Sequence, residues 1–452
     1  MFFCQILKET KGMNGVNLSL YWGIPFLGVL FSLSFGPLIF PKLWARHSEK
    51  ILGIWSLGLM IGMVIFFKDD ALRKLLEMLI NHYFSFIIFL GTLYILSGGL
   101  WIRAKFEGTP LKNTCLLIGG TLLASVIGTT GALVLTIRPF LNANKGRLSR
   151  VHLVIFLIIL VGNIGGALTP LGDPPLFLGY LEGVDFFWVP KNLGGPFLMI
   201  VIPILILFYI TDLLYWKKET SRYLPSNREK FSFDVSGKLN LFLLFGVVCL
   251  HLESKIWKDL SVFHVFDVSI SGSSLLREGG LIILSLLSWI MTPKIYRQHN
   301  GFSWHPLCDV AKVFLNIFIT LIPIFLIFEA KQKGEFQALI QFFGSHSPAL
   351  YFWLTGIFSA FLDNAPTYLV FFKMTGMDVQ TLMTEGSKNL IAISCGAVFM
   401  GALTYIGNAP NFIAKDIAEA EGIEMPGFFE YLVKASLILL PLFGAVTFFF
   451  LL

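Results

Sequence analysis

Charge is scarce in this chain. Asp, Glu, Lys and Arg make up 14% of its 452 residues, against roughly 25% in soluble domains. That is too little polar surface to coat a water-soluble protein of this length. Cysteine is sparse as well. Cys4, Cys115, Cys249, Cys308 and Cys395 show no CxxC or Cys/His spacing. A zinc site or disulfide framework is therefore not expected, and small apolar filling is their expected use. The eight His form no HExxH, and no GxxxxGK[ST] loop for ATP occurs,. Without a nucleotide loop, transport driven by ion gradients is favoured. No patch suits a nucleic acid; the net charge of +6 is what cytoplasmic loops would give. A cleavable leader is not expected either. The first apolar run, Val16 to Phe40, is too long for a signal core and lacks a small-residue cleavage site,.

What the chain does have is apolar length. Hydrophobic residues are 55% of it, with a mean hydropathy of +0.75. A spanning helix needs about 20 mostly apolar residues. In the first half such runs fall at 17–40, 51–67, 84–101, 113–141, 151–181 and 196–216. In the second they fall at 239–257, 275–292, 310–328, 348–373, 389–415 and 432–452. In each half the fourth and fifth runs are interrupted by Gly, Pro, Thr and Asn or Asp.

The interruptions repeat. Gly166 to Phe177 reads GALTPLGDPPLF, and Gly401 to Phe412 reads GALTYIGNAPNF, identical at seven of twelve positions with an offset of 401 − 166 = 235. The same offset sets Gly128-Thr129-Thr130-Gly131-Ala132 on Asp363-Asn364-Ala365-Pro366-Thr367 without a gap. Matched breaks in two halves point to the binding site of a secondary transporter.

Basic residues set the orientation. Arg138, Lys145, Arg147 and Arg150 mark the loop 138–150 as cytoplasmic, and Lys217, Lys218, Arg222, Arg228 and Lys230 do so for 217–230. Arg103, Lys105 and Lys112 put the other flank of 113–141 on that same side, so this segment reads as a re-entrant hairpin with its tip at Gly128 to Ala132. The expectation is an all-α polytopic membrane protein of two inverted repeats. Each has five transmembrane helices plus a re-entrant hairpin, with broken helices at the midplane and both termini outside. Residues 1–216 form the first repeat, 217–237 a cytoplasmic linker with room for a short interfacial helix, and 238–452 the second repeat.

Chemistry is expected at the breaks. An unpaired backbone group in hydrocarbon costs several kcal/mol, so a break persists where it faces a ligand or a cavity. Hard cations such as Na⁺ take oxygen ligands. The first half offers Thr129, Thr130, Thr169, Gly172 and Asp173. The second offers Asp363, Asn364, Thr367, Thr404, Gly407 and Asn408. Gly128, Gly131, Gly172 and Gly407 let carbonyls turn inward; Pro174, Pro175, Pro366 and Pro410 keep the helix from closing over the gap. Each half holds one carboxylate, on different loops: Asp173 corresponds to Asn408, and Asp363 to Gly128. A charge at membrane depth costs roughly 3 kcal/mol, so Asp173 and Asp363 are the expected sites for Na⁺, with H⁺ competing for the same carboxylates. Both can instead be structural caps, since Asp is a preferred N-cap. Asn163 and Asn316 read as inter-helix contacts. His251, Glu253, Arg277, Glu278 and Glu329 read as solvated interface residues, and Lys373 and Lys415 as snorkelling cations.

The segments NIGGALTPLGDPPLFLGYLEGVDFFW, FLDNAPTYLVFF and GAVFMGALTYIGNAPNFIAKDIAEAEGIEMPGFF resemble the ion transporter superfamily. Within it they look closest to bacterial NhaD-type sodium/proton antiporters and to citrate transporters of the CitMHS-like kind. That resemblance implies a scaffold domain, a mobile transport domain, elevator-type alternating access and a homodimer in the inner membrane of a bacterium. Dicarboxylate carriers of the superfamily bear Ser-Asn-Thr at their hairpin tips. Here the tips read Gly128-Thr129-Thr130 and Asn364-Ala365-Pro366-Thr367, and no Arg or Lys lies in the four loops to hold an anion. The expected function is therefore sodium/proton antiport with sodium and proton as the coupled ions and no cofactor. Symport of citrate or another carboxylate is the alternative. An intramembrane aspartyl protease fits poorly, because position 170 is Pro where a GxGD pattern needs Gly.

Overall fold

The computed structural model describes residues 13, 18–105, 107–220, 232–253, 262–265, 268–329 and 347–452. Helix dominates. After a 3-10 turn come α1 (Ile24–Ile39), α2 (Pro41–Phe67) and α3 (Asp69–Gly98), the last with a π turn at Leu79–Phe84. Strand β1 (Trp101–Lys105) leads to α4 (Pro110–Ile127) and α5 (Thr129–Ala143). Next are α6 (Val151–Leu160), a 3-10 turn at Ile164–Leu168, α7 (Pro174–Leu181) and α8 (Trp188–Thr220). The second half holds β2 (Ser232–Ser236), α9 (Leu239–Glu253), β3 (Val262–Val265), β4 (Val268–Ser271), α10 (Gly272–Met291), α11 (Lys294–His299) and α12 (His305–Glu329). It ends with α13 (Pro348–Phe361), α14 (Asn364–Met374), α15 (Val379–Met383), α16 (Ser387–Met400), α17 (Ala409–Ala420) and α18 (Phe428–Val446).

Among the described residues, nine helices are long and apolar enough to cross a membrane, and three shorter apolar helices accompany them. The protein is a polytopic membrane protein. All twelve apolar runs of the sequence contain helix. Several helices start earlier than their apolar runs: α2 begins at Pro41 rather than 51, α3 takes in the charged stretch from Asp69, and α8 begins at Trp188 rather than 196.

The breaks fall where the sequence interrupts its apolar runs. Gly128 turns between α4 and α5 with φ +82°, and Asp363 turns between α13 and α14 with φ +28°. Both are left-handed conformations, easy for Gly and strained for most other residues, with Asp and Asn the more tolerant. The roots of α4 and α5 meet: the Gly108 N–H donates to the Ala143 carbonyl at 2.8 Å, and Asn113 and Asn144 exchange amide hydrogen bonds at 3.0 and 2.9 Å. The two helices therefore form an antiparallel hairpin. At the second kind of break, Gly172 lies so close to Gly166 that a Cβ on it would meet the Gly166 carbonyl oxygen at 2.2 Å. Gly407 lies against Gly401 in the same way, at 2.6 Å.

Packing between elements comes in matched pairs. α1 packs on α2 as α9 does on α10; α2 on α12 as α10 on α3; α1 on α12 as α9 on α3. Nearer the breaks, α3 packs on α5 as α12 does on α14, and α7 on α14 as α17 does on α5. Each half thus completes its packing with the other half's elements, which is why the linker does not divide the chain into independent cores.

In the linker, residues 217–220 end α8 and β2 pairs antiparallel with β1, Trp101 opposite Ser236 and Lys105 opposite Ser232; residues 221–231, where a short interfacial helix had room, lie outside the described residues. Two expectations are corrected. His251 and Arg277 are buried rather than solvated. The His251 ring packs against Phe89, Phe177 and Tyr180, and Arg277 pairs with Glu278 at 3.1 Å, which also receives the Ser85 hydroxyl. Lys373 does not simply snorkel; it pairs with Glu182 at 2.5 Å.

Candidate functional site

Four helices begin at one place. The N-caps of α5, α7, α14 and α17 are Gly128, Asp173, Asp363 and Asn408, and all four lie at or beside a single cavity. A helix N-terminus carries a partial positive charge of roughly half a unit, so carboxylates at two of the four caps are electrostatically matched to their position.

Asp173 is the hub. Its side chain is buried. The Thr129 hydroxyl donates to its Oδ1 at 3.0 Å, the Asn408 amide to the same oxygen at 3.2 Å, and the Asn364 amide to its Oδ2 at 2.6 Å. One carboxylate therefore collects donors from both hairpin tips and from the matched break of the other half. The Thr129 N–H also donates to the Gly172 carbonyl at 2.9 Å.

Asp363 is half-buried and lines the cavity. Its Oδ1 accepts from the Ala365 N–H at 3.0 Å, an N-cap hydrogen bond. The cavity, of about 110 Å³, is also lined by Thr129, Thr130, Gly172, Asn364 and Asn408. Phe89, Leu93 and Tyr94 of α3 and Leu307, Val310 and Phe314 of α12 close its other wall. Among the described residues, no Lys, Arg or His side chain lines it. Its oxygen-bearing groups are a carboxylate, hydroxyls, amides and peptide carbonyls, a donor set suited to a hard cation.

The other candidates stand apart from the cavity. The Thr169 hydroxyl donates to the Ser125 carbonyl and accepts from the Leu171 N–H at 3.1 Å. Its counterpart Thr404 donates to the Ala360 carbonyl and accepts from the Gly407 N–H at 3.0 Å. These two ties obey the 235-residue offset at both ends, 169 to 404 and 125 to 360. Both threonines strap a break loop to the preceding hairpin. The Thr367 hydroxyl donates to the Asp363 carbonyl at 2.8 Å within its own helix start, and Gly407 packs on Gly401.

Asn411 and Asn163 belong to the same construction and were not expected there. Asn411 donates to the Gly401 and Thr404 carbonyls at 2.9 and 2.8 Å, holding the second break open. Its Oδ1 accepts from Asn163 at 2.7 Å, across the two halves. A signal existed for Asn411, which sits inside the repeated motif where the first copy has Leu176. Asn163 was expected as an inter-helix contact, which it makes with Asn411, but it precedes the motif and carried no signal for the site.

Comparison with known proteins agrees with a transporter. The family described as "Putative citrate transport" matches residues 15–451. The chain is 24% identical over 352 residues to an uncharacterized transporter of Mycobacterium bovis, covering 75% of this chain and 76% of that one. An uncharacterized transporter of Mycobacterium tuberculosis matches to the same extent. A 46 kDa membrane protein of Mycobacterium leprae is 24% identical over 344 residues, 74% of this chain and 76% of its own. The family match covers nearly the whole chain, and the chain belongs to that family: it is a transporter, not an enzyme.

Proposed function

We propose that this family member is a secondary transporter that exchanges Na⁺ for H⁺, with Asp173 and Asp363 as the groups that bind and release both. One observation carries this reading: two carboxylates stand at helix N-caps at or beside a cavity that no cationic side chain among the described residues lines. In a low-dielectric site such a pair repels an anion and attracts a small cation. A carboxylate that can hold either Na⁺ or a proton couples the two without further machinery. The matched packing of the halves supports inverted repeats with α4–α5 and α13–α14 as re-entrant hairpins, their tips near the midplane. The bacterial relatives support placement in an inner membrane, and a homodimer is part of the proposal.

A second reading is symport of citrate or another carboxylate. The family's description favours it, and so do the four converging helix N-termini, whose partial charges would suit an anion once the aspartates are protonated or cation-bound. Proteoliposomes separate the two. With only a Na⁺ gradient imposed, antiport predicts proton movement in the opposite direction without any organic solute. If protons move only when citrate or a related carboxylate is present, the symport reading replaces it.

A further inference from the structure

A second space lies farther along two of the helices that line the candidate cavity. From Gly131 at the cavity, Val134 and Arg138 follow on α5 at helical spacing; from Ile413, Ile417 and Glu421 follow along α17. These four outer residues line that space, of about 510 Å³, between the two helices, β1 and the end of α11. Arg138 at its mouth is exposed and makes no ion pair among the described residues, and Val134 is half-buried.

The 235-residue offset carries this face to the other end of the molecule. Val134 becomes Leu369, Arg138 becomes Lys373, and Ile417 becomes Glu182. There the same positions are shut. Leu369 is only 2% exposed. Lys373 Nζ lies 2.5 Å from Glu182 Oε2 and over the Phe325 ring of α12 at 4.9 Å. His82, in the π turn of α3, approaches the other Glu182 oxygen at 3.8 Å. The ion pair thus ties α14 to the end of α7, and the Phe325 and His82 rings seat that pair against α12 and α3.

We infer that Glu182, Lys373 and His82 form the closed gate of one access route, and that the Val134–Arg138–Ile417 groove is the open route at the opposite end. The chain is a transporter, so its site must open to each side in turn; related positions held in opposite states are what one half-cycle of that alternation requires. If the loop 138–150 is cytoplasmic, as its basic residues imply, the open route faces inward. The gate residues touch no site carboxylate and act on access alone. A buried ion pair that loses one member leaves an uncompensated charge, which draws water. Neutralising Glu182 should therefore loosen this end.

The test reads thiol accessibility in the purified full chain, with the native cysteines replaced, using a water-soluble maleimide. It needs no ion flux, so its outcome is separate from that of the exchange assay. Val134→Cys should label at least tenfold faster than Leu369→Cys. Adding Glu182→Gln should speed labelling of Leu369→Cys at least tenfold and leave that of Val134→Cys unchanged or slower. Should Glu182→Gln also expose Leu160→Cys, a buried control, the fold itself has loosened, and Lys373→Met is read in its place with the same expectation. Equal labelling of Leu369→Cys and Val134→Cys in the parent, or no acceleration in the gate variant so read, overturns the inference.

Discussion

The Asn364 amide of the second half donates to Asp173 Oδ2 of the first across 2.6 Å. This contact joins two chain positions 191 residues apart, and it places a hairpin tip of one half directly on the break of the other. The halves therefore share one site rather than owning one each. A perturbation at either break should be felt at both.

The glycine crossings are the least forgiving part of that site. A Cβ at Gly172 would lie 2.2 Å from the Gly166 carbonyl oxygen, and one at Gly407 would lie 2.6 Å from that of Gly401. Backbone cannot swing aside as a flexible side chain can. Gly172→Ala should cost more than about 3 kcal/mol, beyond the usual overpacking penalty, and Gly407→Ala somewhat less. Membrane levels of each variant, followed by immunoblot, check this; normal accumulation of Gly172→Ala would show that the crossing can relax.

Much of this was legible in the sequence, because backbone breaks leave a chemical signature. Gly, Pro, Thr and Asn gathered inside an apolar run serve an unbroken lipid-facing helix poorly, and the offset between copies identified which breaks correspond. The convergence of Thr129, Asp173, Asn364 and Asn408 follows from that signature. What stayed hidden was the partner of each polar group. Thr169 and Thr404 look like ligands in sequence, yet a hydroxyl in a helix break can as readily satisfy a neighbouring carbonyl, and only geometry tells which. Phe89, Tyr94 and Leu307 look like lipid-facing residues of ordinary helices; nothing in an apolar helix marks the face that will close a cavity. His251 and Arg277 looked solvated because they lie near segment ends, but tertiary packing buried them.

The two strap threonines give a test of structure against binding. Each spans a break through one hydroxyl, to Ser125 or to Ala360. Thr404→Val keeps the shape but leaves the buried Ala360 carbonyl and Gly407 N–H without their partner, and should lower stability by about 1–3 kcal/mol for each. Cation affinity should stay within twofold of the parent. Thermal stability in detergent and Na⁺ dependence of exchange are the two readouts. A tenfold loss of affinity with unchanged melting would make Thr404 a ligand after all.

Asp363 combines a cap with a strained backbone. Its φ of +28° suits Gly better than any β-carbon residue, while its carboxylate caps α14 at Ala365. Asp363→Gly loses the cap at a cost of only a few tenths of a kcal/mol and relieves the strain. Asp363→Ala loses about 1 kcal/mol of capping and keeps the strain. The Gly variant should therefore be the more stable of the two by about 1–2 kcal/mol, with exchange impaired in both. Melting of the purified variants in detergent reads the order; a more stable Ala variant would mean that position 363 carries no strain.

Asp173 tests the proposed coupling most directly. Three donors aim at its carboxylate. Asp173→Leu would leave all three unpaired in a buried place, at about 1–3 kcal/mol each, and should fail to accumulate. Asp173→Asn is different. Asn already occupies the matched position 408, its carbonyl oxygen can accept one or two of the donors, and the neighbouring Asn364 and Asn408 amides can rotate to offer oxygen to its NH₂. The variant should insert and accumulate near the parent level, since a buried charge is also removed. It should nevertheless lose exchange, because an amide cannot take up and release H⁺ in the working range. If Asp173 alone carries the proton, Asp363→Asn should retain exchange with altered Na⁺ affinity; if both couple, it should fail likewise. Na⁺-dependent proton movement in everted vesicles at several pH values, with protein level checked by immunoblot, distinguishes these. Parent-level exchange in both single variants and in the double variant would make the two carboxylates structural caps and would remove the physical basis for sodium/proton coupling at this site.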